Sequence, residues 1–292
     1  MHKPDVAAFY DPRTHSIQYV VSDPHTCCCA IIDPVLDFDE KSGSTATNNA
    51  DALLAYIRDQ SLQLQWILDT HPHADHFSAA TYLKQQTGAP MAIGAHVTDV
   101  QKIWSEIYNW PDLSVDGSQW DRLFSDGDRF LIGDIDVRVM HSPGHTLASI
   151  TYVVGDAAFV HDTMFMPDSG TARADFPGGS AKALWSSIQA ILALPGDTRI
   201  FVGHDYQIGG RQPQWESTVE RQRADNIHFR HSPSEEEFVA IREKRDQILP
   251  MPKLMLHALQ VNINGGQLPE PEGNDMRYLK LPIGAFQTAV WS

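Results

Sequence analysis

Hydrophobic and polar positions alternate along this chain in short blocks whose period switches between two and about 3.6, the strand and helix periods. Residues 16–21 and 27–33 are apolar and β-branched, separated by the turn-forming Ser22-Asp23-Pro24, and predict an antiparallel strand pair. Residues 48–60 carry Ala52, Leu53, Tyr56 and Ile57 at helical spacing. A strand over 65–70 follows, then a helix over 77–87 stopped by Gly88 and Pro90. Residues 91–95 predict a third short strand and 97–108 a helix. The stretch 109–126, with Pro111, Gly117 and two tryptophans, predicts a surface excursion.

The second half is denser in strands, over 129–132, 134–141, 149–155 and 157–160. Ser180 opens a helix through Leu194, and 199–203 is another strand. Ser234 followed by Glu237 forms a capping box ahead of apolar-periodic residues 238–249. From Pro250 the chain is rich in Pro and Gly and predicts a segment that wraps the domain without a second core. Strand and helix runs in two successive halves fit two stacked sheets with helices outside, rather than the strict βαβ alternation of a doubly wound fold.

Composition narrows the class of partner. The 292 residues hold 22 Lys and Arg against 37 Asp and Glu, a net charge of −15, which argues against nucleic acid and anionic membrane surfaces. No apolar run approaches the roughly 18 residues that span a bilayer. The N-terminal residues are polar, with no apolar stretch of the kind that begins secreted chains. Cys27, Cys28 and Cys29 are consecutive, so they cannot bridge one another comfortably and read as small buried strand residues. Without a disulfide framework a cytoplasmic location is expected. The oddity is 14 His in so acidic and cysteine-poor a chain.

Those histidines cluster. His71-Pro72-His73-Ala74-Asp75-His76 puts three His and an Asp within six residues, directly after a predicted strand. Imidazole and carboxylate together suit Zn²⁺ or Fe²⁺. Other potential ligands stand at strand ends: His145 after the Pro143-Gly144 turn, Asp162 after 158–161, and His204 after 200–203. Asp33 ends a strand in the same way and could orient the ligand loop.

In order and context, Asp33, His71–His76, His145, Asp162 and His204 resemble the five motifs of the metallo-β-lactamase superfamily. The resemblance implies an α/β (α+β) fold, the four-layer αβ/βα sandwich with its metal site at the edge between two sheets. It implies a single domain over 1–292, with 207–292 a C-terminal helical and extended elaboration. Gly170-Thr171-Ala172-Arg173-Ala174-Asp175-Phe176, Gly203-His204-Asp205-Tyr206, and Ser217–Glu220 with Arg223 and Asn226 are similar to stretches of the bacterial persulfide dioxygenases. Against that pattern, Ala172 and Ala174 stand where Gly and Thr are usual.

For this chain the resemblance implies one Fe²⁺ held by His71, His145 and Asp162, oxidising glutathione persulfide with O₂ and water to glutathione and sulfite. His204 joins the catalytic set, and Asp33, His73, Asp75 and His76 support it. Arg173, Tyr206 and Arg223 would hold the anionic glutathione part. A homodimer or homotetramer is expected, with aromatic surface at 109–120. The alternative is a glyoxalase II-like thioester hydrolase with two Zn²⁺: His71, His73 and His145 on one, Asp75, His76 and His204 on the other, and Asp162 bridging.

Overall fold

The computed structural model describes residues 3–286. Two six-stranded mixed sheets form its centre. The first contains β1 (Asp5–Tyr10), β2 (Ile17–Ser22), β3 (Cys28–Ile32), β6 (Gln63–Leu68), β8 (Met91–Gly94) and β9 (Arg122–Phe124), neighbours in that order. β1, β2 and β3 run antiparallel, and β3, β6, β8 and β9 run parallel. The second contains β10 (Arg129–Ile132), β11 (Ile135–His141), β12 (Ile150–Val154), β13 (Ala157–His161), β14 (Arg199–Val202) and β15 (Glu216–Thr218). Among the described residues its one parallel pair is β13 with β14. A three-stranded sheet joins β4 (Val35–Asp39) to β5 (Ser44–Ala46) and β7 (Phe77–Ser78).

Side-chain alternation explains the layers. On β3, Ala30 and Ile32 face the second sheet, where they join Val137, Tyr152 and Phe159. Cys29 and Ile31 face the other way, into a core built with helices. Strands covered on both faces read as continuous apolar runs, which is why 27–33 shows no alternation. Helices α1 (Asn48–Asp59), α2 (Ala80–Thr87) and α3 (Val97–Ile107) cover the first sheet. Helices α4 (Ala181–Leu192), α5 (Val219–Asp225) and α6 (Glu235–Asp246) pack with one another and with the core of the second. Ser180 caps α4 by accepting from the Ala183 amide, and the expected capping box forms at Ser234 and Glu237.

Several expectations change. The helix expected over 77–87 begins only at Ala80, because Phe77 and Ser78 pair with Leu36 and Val35 as β7. The excursion at 109–126 folds inward: it ends in edge strand β9, Leu113 is buried, and Trp120 is 6% exposed. Pairing with β8 thus buries part of the aromatic surface expected to serve an interface. The segment after Pro250 forms α7 (Met255–Asn262), whose Met255, Ala258, Leu259 and Val261 sit in the same core as α1–α3. Pro252 and Gly265 bound too short a segment for its helical period to show. Of the cysteines only Cys29 is buried, and burial pushes its thiol up to about 12. No helix of the described residues is long and apolar enough to cross a membrane.

One glycine is required where the chain turns toward His145. Gly144 has φ +137°, and a Cβ there would lie 2.3 Å from the Leu184 backbone. Gly144→Ala is expected to cost about 2–4 kcal/mol of stability in urea unfolding, through backbone strain and a clash with α4.

Candidate metal centre

The potential ligands converge because strands of both sheets end at one edge. β3 runs out at Asp33, β6 into the loop carrying His71 to His76, β13 into His161 and Asp162, and β14 into His204. The turn between β11 and β12 brings His145. Asp33 and His161 hold φ of +52° and +42°, left-handed values that ordinary side chains rarely adopt and that recur at functional sites.

The loop is held from several sides. Asp33 accepts from the Thr70 amide at 2.7 Å and the Thr70 hydroxyl at 2.8 Å, and lies 3.0 Å from His73 Nε2. Asp69 accepts from Ser78 Oγ and from the Trp120 indole at 3.2 Å, and its carbonyl accepts from the Tyr152 hydroxyl. Asn262 of α7 donates to the carbonyls of His73 and His76, at 2.8 and 2.7 Å, and accepts from the Ser78 amide. Burial and the nearby Asp33 charge lift Asp69 to about 6.

Two groups of side chains could hold a cation. Ligand atoms of His71, His145 and Asp162 lie within 4.8 Å of one another, as do those of His73, Asp75 and His204. Among the described residues His71 Nε2, His76 Nε2, His204 Nδ1 and Asp162 Oδ1 are buried without a hydrogen-bond partner. Each such atom costs about 1–3 kcal/mol if left unpaired, and in each group the ligand atoms lie close enough together to fit a bound divalent metal. His145 Nδ1 lies 2.8 Å from the Arg173 carbonyl. A carbonyl only accepts, so Nδ1 carries the proton and Nε2 is left free beside Asp162.

Electrostatics agree with ligation. Burial pushes His71 and His145 below the ordinary imidazole range, so both are neutral, the form that binds metal. Burial opposes charge on Asp75, but His204 and His76 outweigh it and hold its carboxyl far down. His73 is the exception: burial opposes its charge, yet Asp33 lifts it to about 9. The atoms therefore do not gather in the two-zinc partition expected from the sequence. His73 falls with Asp75 and His204, and His76 falls in neither group.

Above the metal groups lies a cavity of about 660 Å³ lined by Asp75, His145, Asp162, Phe165, Arg173 and Tyr206, among others. Arg173 makes a bidentate bridge to Asp175 at 2.7 and 2.8 Å, donates to the Pro250 carbonyl and sits over the Phe176 ring. Tyr206 is 47% exposed, its ring parallel to that of His204. Arg223 is not brought to the cavity. It is exposed on α5, with its guanidinium on the Leu192 carbonyl, because α5 packs across the end of α4.

Three side chains near the site went unremarked in the sequence. His161 is buried with its ring 5.0 Å from that of His71, and its Nε2 is 3.0 Å from Thr163 Oγ1. Arg242 and Asp246 form a buried ion pair on α6. Arg242 donates to the Thr171 carbonyl, and Asp246 accepts from the Ala174 amide at 3.0 Å. The pair thus clamps, from both sides, the backbone whose Arg173 carbonyl orients His145. Their i,i+4 spacing was visible, but such pairs usually sit on solvated faces.

The metallo-beta-lactamase superfamily profile matches residues 19–204, and the chain belongs to that family. It is 70% identical to a beta-lactamase hydrolase-like protein of Xylella fastidiosa, over 99% of this chain and 67% of that one. It is 44% identical to glyoxylase B2 of Dictyostelium discoideum, over 97% of this chain and 98% of that one. Identity to the mitochondrial persulfide dioxygenase of Homo sapiens is 30%, over 88% and 87%. The crystal structure of ETHE1 from Myxococcus xanthus superposes with a TM-score of 0.73 at 28% identity, covering 90% of this chain and all of that one. The four-layer sandwich expected from the motifs is therefore the fold.

Two measurements test how the loop over the cavity is held. Asp246→Ala strands the buried Arg242 charge and should cost about 3–5 kcal/mol in urea unfolding. His228, whose Nδ1 lies 2.9 Å from Thr171 Oγ1, is pushed down to about 4 by burial and by Arg242 and Arg245. Its folded value lies below its unfolded one, so its contribution is fully present above about pH 6.5 and declines as pH falls toward 4. Between pH 7 and 4 the wild type should lose about 2–3 kcal/mol relative to His228→Gln, a difference that parallel denaturation curves would show.

Proposed function

We propose that this protein is an Fe(II)-dependent persulfide dioxygenase that converts glutathione persulfide, O₂ and water into glutathione and sulfite. The observation that carries this reading is the grouping of the ligand atoms of His71, His145 and Asp162 within 4.8 Å of one another. Two imidazoles and one carboxylate on one face suit a single non-haem iron. When bound, iron would supply open positions for sulfur and dioxygen and accept and return electrons. The likeness to the human persulfide dioxygenase and to the Myxococcus structure supports the reading.

The chain's own residues do the remaining work. The Arg173 carbonyl fixes the His145 ring, so its Nε2 stays aimed at the ligand group. Phe165 and Phe176 line the cavity with apolar surface that limits water around the sulfur. His204 Nε2 lies 3.4 Å from Asp162 and 3.3 Å from Asp75, where it can take up a proton released as sulfite forms. Tyr206 lines the cavity with its ring against His204.

A second reading is favoured by two observations. His73, Asp75 and His204 form a separate group, and glyoxylase B2 is more similar to this chain than the human dioxygenase. Two metals there would make hydroxide for attack on a glutathione thioester. Anaerobically iron-loaded protein is expected to take up O₂ with glutathione persulfide, one O₂ per sulfite, and to hold about one metal per chain. Absence of uptake above the metal-free control, with S-lactoylglutathione hydrolysis and about two metals per chain lost together in Asp162→Ala, would establish the second reading.

A further inference from the structure

Five basic side chains line the cavity: Arg13, Arg173, Arg242, Arg245 and Lys253. Four already have carboxylate partners. Arg13 lies 3.7 Å from Asp39, Arg173 is bridged by Asp175, Arg242 by Asp246, and Lys253 by Glu40. Among the described residues Arg245 forms no ion pair and no side-chain hydrogen bond. It stands in the last turn of α6, one turn after buried Arg242, and the two guanidiniums repel. In a chain of net charge −15, this leaves one uncompensated cation on the cavity wall. Two acidic groups that also line the cavity, Asp75 and Asp162, are engaged by imidazoles.

We infer that Arg245 is the residue that selects for anionic substrates, receiving a carboxylate of a small thiol derivative whose sulfur end lies at the His71, His145 and Asp162 group. The assignment rests on the glutathione chemistry proposed above, and it gives α6 the role that sequence likeness suggested for Arg223. The guanidinium needs no rearrangement of an existing pair to take a carboxylate, whereas Arg173 would have to surrender Asp175. A planar fork matched to a carboxylate gives both affinity and orientation. Because Arg245 is exposed, the interaction is open to screening by salt.

The test is binding of glutathione, and of its uncharged-carboxyl dimethyl ester, to anaerobic iron-loaded protein by calorimetry. Wild type should bind glutathione about tenfold more tightly than the diester. Arg245→Gln should abolish that preference, Arg245→Lys should keep most of it, and Arg223→Gln should leave it intact. In turnover, Arg245→Gln should raise KM for glutathione persulfide about tenfold with kcat nearly unchanged, the mark of lost uniform binding. Wild type that does not discriminate the diester, or Arg245→Gln that still does, overturns the assignment. Persulfide oxidation with binding indifferent to Arg245 would leave the dioxygenase reading standing alone. Binding that depends on Arg245, without persulfide oxidation, would sink that reading and keep the assignment.

Discussion

The structure is organised around buried imidazoles and carboxylates crowded at one edge of two sheets. His71, His73, His76, His145, His161 and His204 are all buried, and ring centroids of His71 and His73 are 4.1 Å apart. Such a group is unfavourable by itself, since several of its atoms have given up water without finding a protein partner. A cation is what makes the arrangement favourable, and much of the surrounding chain keeps the groups from relaxing away from it. Asp33 holds Thr70 and His73, Asn262 holds the carbonyls of His73 and His76, and Trp120 holds Asp69.

That support explains features that otherwise look peripheral. The segment around Trp120 and the helix after Pro252 are distant in sequence from the ligand loop, yet each contributes the side chain that meets it. The buried pair Arg242–Asp246 does the same for the loop around Arg173, and through the Arg173 carbonyl for His145. A buried ion pair is a weak source of net stability. Its value here lies in fixing a backbone segment against which a ligand ring is oriented.

The metal groups were legible because their chemistry is local: histidines two or three residues apart after an apolar strand, and single His or Asp residues at later strand ends. The supporting cast was not. Asn262 and Trp120 are ordinary residue types at unremarkable positions, made functional only by what they touch. Arg223 and Arg245 show the same limit for substrate contacts. Both are arginines on polar helices, and nothing in the helical pattern says which one faces the cavity. Pairing was equally hidden. Arg173 sits two residues from Asp175, and only the fold shows that this bridge forms while Arg245 stays unpaired.

By itself, then, the chain's pattern determined the two-sheet architecture, the strand ends that carry ligands and a net charge of −15. Those follow from period-two and period-3.6 burial and from the count of charged residues, properties summed along the chain. Tertiary structure decided how the ligands divide, with His73 beside Asp33 and its ligand atom grouped with those of Asp75 and His204. It also decided that 109–126 folds inward and that α6, not α5, presents a free guanidinium to the cavity. Each depends on distances between segments far apart in the chain, and those distances arise only when the layers pack.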